Sequence, residues 1–526
     1  MTLILKKRFF VLYSFLLLPS IAAAQTPRFD IGSPSLQQIW VDPARGDDRA
    51  SGRSGAEALR TIIEAWNRIP ASSASAPLTS AGYEIRLMPG EYAEAAIPHY
   101  MERRFGSASA PVVIRAANGP GTATLRAGLN VASVAYLYLI DVDVVPLPAA
   151  DVFHCESCDH VVIRGVTFTG GTRPGEGADA PVAHETVKVN QSTHIYIEDS
   201  RIGGADDNAI DFVAVQDGHI IGNRVHAAGD WCGYVKGGSA NILVDSNEFF
   251  DCGTGGFTVG QGTGLQFMTA PWIHYEAYGI RVVNNIVHDT EGAGLGVSGG
   301  YNVLIAWNTL YRVGSRSHVI EAGFGARSCD AADVAAERQQ CEARISVGAW
   351  GTTVVDDGDN FVRVPNQHVF VLNNVVFNPA GRGSQWQHFQ VAGVRDGQTG
   401  PGAPDSNRGD TDLRIAGNVI WNGAAGHALG LGDDSGCQPS HATCSENYLR
   451  ANNAINTRQP AFADVSAGDV RPAGALAQER SVAVPDFSWD DRPSRPQAPA
   501  GERSNRIAFD RNGRARTATD PPGAAK

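Results

Sequence analysis

A short phrase of alternating apolar and polar residues recurs along most of the chain. It reads apolar-x-apolar-x-x-Asn-x-apolar and is followed by a turn rich in Gly or Asp, as in HIIGNRVHAAGD, GIRVVNNIVHDTEG and LRIAGNVIWNGAAG. The shortest spacings between copies are 23 and 24 residues, and longer spacings contain inserted loops. Two-residue alternation with β-branched residues predicts strands, and a repeat of this length predicts a solenoid of stacked coils.

The Asn position marks each coil of the repeat. Counted by that position, the coils fall at Val142, Val166, Ser200, Asn223, Asn247, Asn285, Asn308, Asn374, Asn418 and Asn453. Stacked Asn side chains can hydrogen-bond along the solenoid axis and satisfy backbone groups that water cannot reach. A leucine-rich repeat has a similar period, but its fixed leucine frame and helical segments are missing from this sequence. The pattern therefore predicts an all-β chain folded as a right-handed parallel β-helix.

An amphipathic helix is predicted near the start of the solenoid. In EALRTIIEAWNRI, four apolar residues fall on one helical face and can cover the open first coil: Leu59, Ile62, Ile63 and Trp66. We assign a signal peptide to 1–24, a cap and first coils to 25–110, the β-helix to 111–460 and a tail to 461–526. The tail becomes rich in Pro and Arg, so we expect it to be disordered or extended along the solenoid.

The first residues predict export. Lys6, Lys7 and Arg8 precede an apolar run and the small residues Ala22–Ala24, which is the pattern of a secretory signal peptide cleaved before Gln25. The residue after the cleavage point is not Cys, so a lipid anchor is not expected. No later stretch is long and apolar enough to span a bilayer. We therefore expect a secreted or periplasmic protein.

Eight cysteines group by proximity into four pairs. These are Cys155 with Cys158, Cys232 with Cys252, Cys329 with Cys341, and Cys437 with Cys444. An even number of cysteines in an exported chain favours disulfides, although sequence alone does not fix their pairing. A redox or metal-clip role for the CESC stretch is disfavoured, because nothing like a thioredoxin unit surrounds it.

The net charge of the protein limits the classes of molecule that it can bind. The chain carries a formal charge of −12, and loss of the three signal-peptide cations leaves the mature protein near −15. A nucleic-acid partner is therefore disfavoured. An acidic polysaccharide remains compatible with this charge, because a bound cation and local basic residues can reverse the sign within a groove. We expect a monomer that acts on an acidic polysaccharide, binds no nucleic acid and has no membrane span.

Lysine is rare in the mature chain. Between the signal peptide and the final residue only Lys188 and Lys236 are present, whereas nearly all other basic residues are arginine. Arginine stays charged at physiological pH, but burial or cationic neighbours can shift a lysine to its neutral, basic form. Loss of lysine codons in a GC-rich genome is the alternative explanation. Both lysines lie beside the densest acidic cluster of the chain, which favours a chemical role.

The two lysines fall in three consecutive coils that read HETVKVNQSTHIYIEDS, GGADDNAIDFVAVQDGHI and GDWCGYVKGGSANILVDS. Two-residue alternation turns the apolar residues inward and places Lys188, Asp211 and Lys236 on the outer surface, one above another. Strict counting from Asn247 puts Val235 over Asp211 instead. The predicted stack therefore requires a one-residue change in the preceding turn.

Acidic residues gather at the corner that precedes these strands. Asp206 and Asp207 lie on one coil, with Asp230 on the next coil and His184 and Glu185 on the previous one. Converging carboxylates repel one another unless a hard cation is bound, and oxygen ligands favour Ca²⁺. A polar turn shaped by Asp is the structural alternative.

A cation site beside an outward lysine suits elimination from a uronate. Calcium bound to the uronate carboxylate acidifies the C5 proton, and a neutral lysine can remove that proton as the 4-linked sugar leaves. Lys236 is the candidate base. Trp231 and Tyr234 flank it and, together with Lys188, are candidates for substrate binding, because aromatic faces suit sugar rings.

The motifs of residues 184–238 resemble those of secreted polysaccharide lyases of the pectate lyase superfamily, and of family nine in particular. In that family an Asp-Asp-x-x-Asp-like cluster binds calcium and a lysine is the base. The resemblance implies that Asp206, Asp207 and Asp211 bind Ca²⁺ and that Lys236 is the base of a lyase. Here the third aspartate lies one residue further along, and the lysine follows sooner.

Other functions are compatible with the same fold. A glycoside hydrolase would use paired carboxylates such as Asp206, Asp207 or Asp230 without a metal, but the GHG and RIK elements of polygalacturonases are missing. A C5-epimerase would abstract the same proton, although its DPHD-type motif is missing. A non-enzymatic carbohydrate-binding or adhesin solenoid is the alternative from a different class.

Overall fold

Successive coils of the chain build three long sheets. The computed structural model describes residues 26–146, 151–171, 182–354, 362–393, 409–424, 426–431 and 445–526. Within these ranges a coil typically contributes one strand to each sheet, and the strands of all three sheets pair in parallel. The prediction of a parallel β-helix is confirmed. The predicted signal peptide and the pair Cys437 and Cys444 lie outside the described residues.

The strands of each sheet follow one another along the solenoid axis. The first sheet has twelve strands: Leu36–Val41, Gly82–Leu87, Val112–Ala116, Ala135–Ile140, Asp159–Arg164, Thr193–Glu198, Gln216–Ile221, Ser239–Asp245, Ala277–Val283, Gly300–Ala306, Gln367–Leu372 and Thr411–Ala416. The second sheet also has twelve: Gly90–Ala93, Ala123–Arg126, Asp143–Val144, Thr167–Thr169, Arg201–Ala205, Arg224–Ala228, Glu248–Cys252, Ile286–His288, Thr309–Tyr311, Val375–Phe377, Val419–Trp421 and Ala454–Ile455. The third sheet has ten: Met101–Glu102, Leu129–Ala132, Phe153–Glu156, Val187–Asn190, Ile210–Val213, Trp231–Lys236, Gly255–Val259, Ala293–Ser298, Ile320–Gly323 and Phe389–Val391.

The remaining elements lie outside these sheets. A three-stranded sheet contains Gly262–Gly264, Gly325–Ser328 and Val362–Val364, and a two-stranded one contains Ala461–Asp464 and Asp469–Ala473. The α-helices are Ile62–Asn67, Ala335–Ser346 and Glu446–Asn452. The 3-10 helices are Gly55–Glu57, Glu94–Ala96, Leu265–Phe267, Val465–Ala467 and Leu476–Gln478. No helix in the described part of the chain has the length and apolarity that a bilayer span requires.

Alternate residues of each strand point into the coil and form one continuous core. In the third sheet, Val187 and Val189 lie beside Ile210 and Phe212, and all four side chains are fully buried. Burial of each such side chain contributes roughly 1.5–3 kcal/mol. Because this inward set is fixed by the period of two, the residues between them are held on the outer surface.

Side-chain amides stack at the corner between the first and second sheets. The backbone N–H and Nδ2 of Asn247 both donate to Oδ1 of Asn285, at 2.9 and 3.0 Å, and Nδ2 also donates to the carbonyl of Ile220 at 2.7 Å. The same pattern links the predicted Asn positions, all buried: Asn223, Asn247, Asn285, Asn308, Asn374, Asn418 and Asn453. The predicted ladder of asparagines is confirmed.

The helix Ile62–Asn67 covers the first coil. Its N-terminus is capped by the Thr61 hydroxyl, which accepts the backbone N–H of Glu64 at 3.1 Å. Of the predicted apolar face, Leu59, Ile62 and Trp66 are buried, but Ile63 is 37% exposed. The buried residues are spaced by three and four positions, and the stripe continues to the buried Ile69. Ile63 lies at the edge of this stripe, on a helix too short to bury a wider face.

Segments near both ends of the described chain pack on the outer face of the first sheet. The tail buries Trp489 completely, and its ring centroid lies 5.6 Å from that of Tyr301. At the other end, Phe29 stacks on Tyr196 with a centroid distance of 4.4 Å. The tail therefore lies extended along the solenoid. The first strand of the β-helix, Leu36–Val41, lies inside the segment assigned to the cap and first coils.

Three of the four predicted cysteine pairs are disulfides. Cys155 bonds to Cys158, Cys232 to Cys252, and Cys329 to Cys341. The third disulfide ties the helix Ala335–Ser346 to the small three-stranded sheet. The insertion that contains this helix and this sheet is thus held together by a covalent bond as well as by packing.

A shorter ladder at the corner before the first sheet contains a buried carboxyl group. The backbone N–H of Gly300 donates to Asn366 Oδ1 at 2.9 Å, and that of Asn366 donates to Asp410 Oδ1 at 2.8 Å. Asp410 thus takes the place that asparagine takes in the main ladder. Burial raises the pKa of Asp410 to about 7, although the hydrogen bonds from Asn366 oppose the shift.

The substitution Asp410→Asn is expected to stabilise the protein above pH 7. Between the ordinary pKa of 3.8 and about 7, the folded wild type binds a proton that the unfolded chain does not. The contribution of this proton to the free energy of unfolding is fully present below pH 3.8 and is lost as pH rises to about 7. The variant should therefore gain up to about 4 kcal/mol over the wild type across this range, measured by denaturant titration at several pH values.

Asp412→Asn is the matched control with the opposite sign. Burial raises the pKa of Asp412, but hydrogen bonds from His368 and Arg414 outweigh burial and lower it. The ionised carboxylate therefore stabilises the folded state above pH 3.8, and this variant should lose stability relative to wild type as pH rises. If the stabilities of the two variants relative to wild type changed in the same direction with pH, the opposite pKa shifts assigned to Asp410 and Asp412 would be wrong.

Candidate functional site

The third sheet presents the predicted lysines and carboxylates on its outer face. The predicted stack is wrong in register, because Lys188 pairs with Asp211 and Asp211 with Tyr234, whereas Lys236 pairs with Val213. Tyr234 and Lys236 both face outward. Successive outward residues lie about 6.6 Å apart along a strand, so Lys236 lies diagonally from Asp211.

Carboxylates from neighbouring coils converge at the corner between the second and third sheets. Glu185 and Asp211 are 1% and 3% exposed, and Asp207 is half-buried. Glu185 Oε2 accepts the backbone N–H of Asn208 at 3.0 Å, and Asn208 Oδ1 accepts that of Trp231 at 3.1 Å. This corner is built like the asparagine ladder, with a carboxylate in one of its steps.

The structure changes the set of candidate cation ligands. His184 Nδ1 and one carboxylate oxygen each of Glu185 and Asp207 lie within 4.8 Å of one another. Asp207 and Asp211 line the cavity at this corner, but Asp206 is exposed and does not. The predicted trio therefore does not line one cavity, whereas Glu185, Asp207 and Asp211 do. The 23-residue spacing from Glu185 to Asn208 equals the repeat and is the sequence signal for its inward position.

Lys188 lies between two of these carboxylates. Its Nζ is 3.5 Å from Glu185 Oε1 and 3.5 Å from Asp211 Oδ2. Burial alone would lower the pKa of Lys188, but the charges of Asp211 and Glu185 outweigh burial and raise it. Lys188 is therefore held in its charged form.

One lysine does not neutralise the cluster. Burial and the charges of Asp211 and Asp207 raise the pKa of Glu185 far above its usual range, even though the charge of Lys188 opposes the shift. Burial and the charge of Asp207 likewise raise the pKa of Asp230. The corner thus lacks positive charge.

The donor chemistry of the cluster fits a hard cation. Asp211 Oδ1 is buried and has no hydrogen-bond partner among the described residues. The carboxylates supply oxygen ligands, which Ca²⁺ prefers. The orphaned oxygen and the cluster of carboxyl groups thus supply the kind of donor atoms that a hard cation uses.

Lys236 faces a cavity of about 350 Å³ that the same carboxylates line. Its Nζ donates to Gln261 Oε1 at 2.9 Å and lies 4.3 Å from the centre of the Tyr234 ring. Burial, together with the charge of Asp211, raises the pKa of Tyr234 well above its usual value, so its hydroxyl stays protonated. Gln261 was not identified from the sequence, because it lies on an inserted loop outside the repeat.

An inserted wall bounds the cavity beside Lys236. The strand Gly262–Gly264 and the side chain of Phe267 line it. Glu276 anchors the wall, because its Oε2 accepts the Thr263 hydroxyl at 2.6 Å and the Gly237 backbone N–H at 3.1 Å. Glu276 Oε1 in turn accepts Arg327 Nε at 3.0 Å, and both of these charged side chains are fully buried.

The aromatic residues near the site are placed differently from one another. Tyr234 lines the cavity, whereas Trp231 is 5% exposed and does not line it. Three aromatic residues of the inserted loop, Trp272, His274 and Tyr275, are buried and pack the loop onto the solenoid. Phe267 is 45% exposed at the rim of the cavity, so its ring is open to solvent.

Comparison with known proteins concerns mainly the fold. The family model described as a right handed beta helix region matches residues 151–327, which include the three coils of the site. No curated protein matches the chain.

Several solved structures are similar. Pectate lyase Pel9A is 13% identical, with a TM-score of 0.40, over 68% of this chain and 80% of that one. The mannuronan C-5 epimerase AlgE6 A-module of Azotobacter vinelandii is 15% identical, with a TM-score of 0.37, over 67% and 89%. The GH136 lacto-N-biosidase of Eubacterium ramulus is 12% identical, with a TM-score of 0.40, over 73% and 68%.

Calcium is expected to raise the unfolding temperature of the protein, and Asp207→Asn is expected to remove most of that effect. A ligand that binds only the folded state contributes about 2.7 kcal/mol at a hundredfold excess over its Kd. Thermal unfolding with calcium and with a chelator measures the effect.

Asp206→Asn is the matched control, because it makes the same substitution at the adjacent, exposed residue. This variant should keep the full calcium response. Equal losses in both variants, or a wild type whose unfolding temperature ignores calcium, would contradict the cation site.

Proposed function

We propose that the protein is a polysaccharide lyase that cleaves a uronate-containing polymer by β-elimination, with Lys236 as the base. The observation that carries this proposal is the contrast between the two lysines of the site. Lys188 is fixed as a cation between Glu185 and Asp211, whereas Lys236 faces the cavity with the neutral Gln261 side chain as its hydrogen-bond partner.

Glu185, Asp207 and Asp211 would hold a calcium ion at the carboxylate corner. When bound, such an ion withdraws charge from a uronate carboxylate and makes the adjacent C5–H bond more acidic. Lys188 supplies a second, permanent positive charge beside that position. Together these charges favour an anionic sugar in a protein whose net charge is negative.

Lys236 performs the proton transfer in this scheme. Its amine takes the C5 proton, the electron pair of the C–H bond forms the C4–C5 double bond, and the C4–O bond breaks. The leaving oxygen takes a proton from water. A positioned base of this kind contributes about 10²–10⁴-fold to the rate, and the Tyr234 ring and Gln261 hold the amine in place.

The remaining features support binding of a sugar polymer. The exposed ring of Phe267 at the rim offers a stacking surface for a sugar ring. The three disulfides are compatible with an oxidising compartment. We propose that the protein acts as a monomer outside the cytoplasm.

Glycoside hydrolysis is the second candidate function. The raised pKa of Glu185 keeps a carboxylic acid protonated near the carboxylate of Asp207, and hydrolases pair an acid with a base in this way. The products separate the two functions. A lyase forms an unsaturated uronate that absorbs ultraviolet light, whereas a hydrolase forms reducing ends without that absorbance.

Lys236→Arg is expected to abolish the ultraviolet signal from uronate polymers, with a loss of at least about 10²-fold in kcat. Arginine keeps the charge and the contact with Tyr234 but does not give up its proton near neutral pH. Polymer binding should therefore be retained, as measured by calorimetry.

Lys188→Arg is the matched control, because it preserves a charge that this proposal gives to substrate binding. It should keep most of the turnover. Full activity of Lys236→Arg would exclude Lys236 as the base.

A further inference from the structure

We propose that this protein binds its polymer by one chain end, in a blind pocket closed beyond Tyr234 and Lys236. The inference rests on the proposed function for the chemistry of the polymer, an acidic polysaccharide. Two separate features close the pocket. One is the indole of Trp231, and the other is the inserted wall anchored by Glu276.

Trp231 blocks the row of outward residues that ends at Tyr234. By register this row continues through Thr258 to Gly296 on the next two coils. A Cβ atom at Gly255 would lie 2.2 Å from the Trp231 ring, and one at Gly296 would lie 3.1 Å from it. Two glycines on successive coils thus form a slot that the indole fills, so a sugar ring cannot continue along the sheet there.

The inserted wall blocks the neighbouring row, which ends at Lys236. The strand Gly262–Gly264 leaves the coil and pairs with Gly325–Ser328 of a later insertion. The wall is tied to the other side of the cavity, where Gln191 Nε2 donates to the carbonyl of Phe267 at 3.0 Å. The buried pair Glu276 and Arg327 fixes this arrangement, as described above.

The space between the closures suits the end of a chain. Pockets for small ligands span roughly 300–1,000 Å³, so a cavity of about 350 Å³ accommodates a terminal sugar unit or two and not a long segment. Among the described residues, the outward side chains on the preceding coil are polar. His154 Nε2 lies 3.3 Å from Asn190 Nδ2, and Glu156 is exposed at the cavity. The rest of the polymer would extend out of the pocket across these residues.

Binding stoichiometry tests this inference without turnover. Polygalacturonate and polymannuronate fragments of increasing defined length are titrated into Lys236→Arg protein with calcium. We expect about one protein molecule bound per chain at every length, since each chain has one end of the fitting kind. A stoichiometry that rises in proportion to chain length, or binding to neither polymer, would overturn the inference.

Opening the slot should change this result. Trp231→Ala is expected to allow several protein molecules per long chain, whereas Trp386→Ala, at a 50% exposed tryptophan, should keep about one. A Trp231→Ala protein that remains folded and still binds once per long chain would remove Trp231 from the closure and overturn its role.

Turnover separates the inference from the proposed function. Wild-type protein should release unsaturated products of one or two sugar units from the first time points, while the viscosity of the polymer falls slowly. Early fragments of intermediate length would overturn end binding and leave the lyase intact. Binding of one protein per chain without any unsaturated product would leave end binding intact and exclude the lyase.

Discussion

Hydrogen bonds between stacked side-chain amides fix the register on which every other part of this structure depends. Each asparagine of the main ladder satisfies backbone groups of its neighbours in an interior that excludes water, where a buried polar group without a partner costs about 1–3 kcal/mol. A slip by one residue would break these bonds and turn the inward side chains out. The ladder thus decides which residues of each coil face the outer surface, and therefore which side chains can form a site.

The candidate site is a local change in that same construction. At the corner between the second and third sheets, Glu185 accepts the N–H of Asn208 as an amide would, but its side chain ends in an ionisable carboxyl group. Asp410 makes a comparable substitution in a different ladder, where its hydrogen-bond partner is the neutral Asn366. Similar backbone positions thus hold either a buried acid beside a neutral amide or one member of an acidic cluster. The difference lies in what the neighbouring coils place beside the carboxyl group.

The repeat alone predicted the fold class and the asparagine ladder, because both follow from a period that the sequence displays directly. The three disulfides were predicted instead from the proximity of their cysteines along the chain. The repeat also predicted that Lys188, Asp211 and Lys236 face outward, since alternation determines the side of the sheet. It did not predict which residue lies above Asp211, because the length of the turn before Trp231 sets that register. Gln261 lies on an inserted loop, outside any repeat, and was missed for that reason. The slot of Trp231 depends on glycines from two successive coils, whose effect appears only when the coils are stacked.

The contacts of the C-terminal tail constrain the order in which the parts of the protein fold. Arg281 Nε donates to Asn505 Oδ1 at 2.9 Å across a separation of 224 residues, and the buried Trp489 covers Tyr301 in the same region. Each such contact closes a very long loop, which costs conformational entropy. The contact offsets that cost only after the coils beneath the tail have formed. Coils can stack as the chain is synthesised. The aromatic side chains on the outer face of the first sheet stay exposed to solvent until the C-terminal tail has been synthesised. A chain interrupted before residue 480 would therefore have its stacked coils while exposing apolar and aromatic side chains on the first sheet.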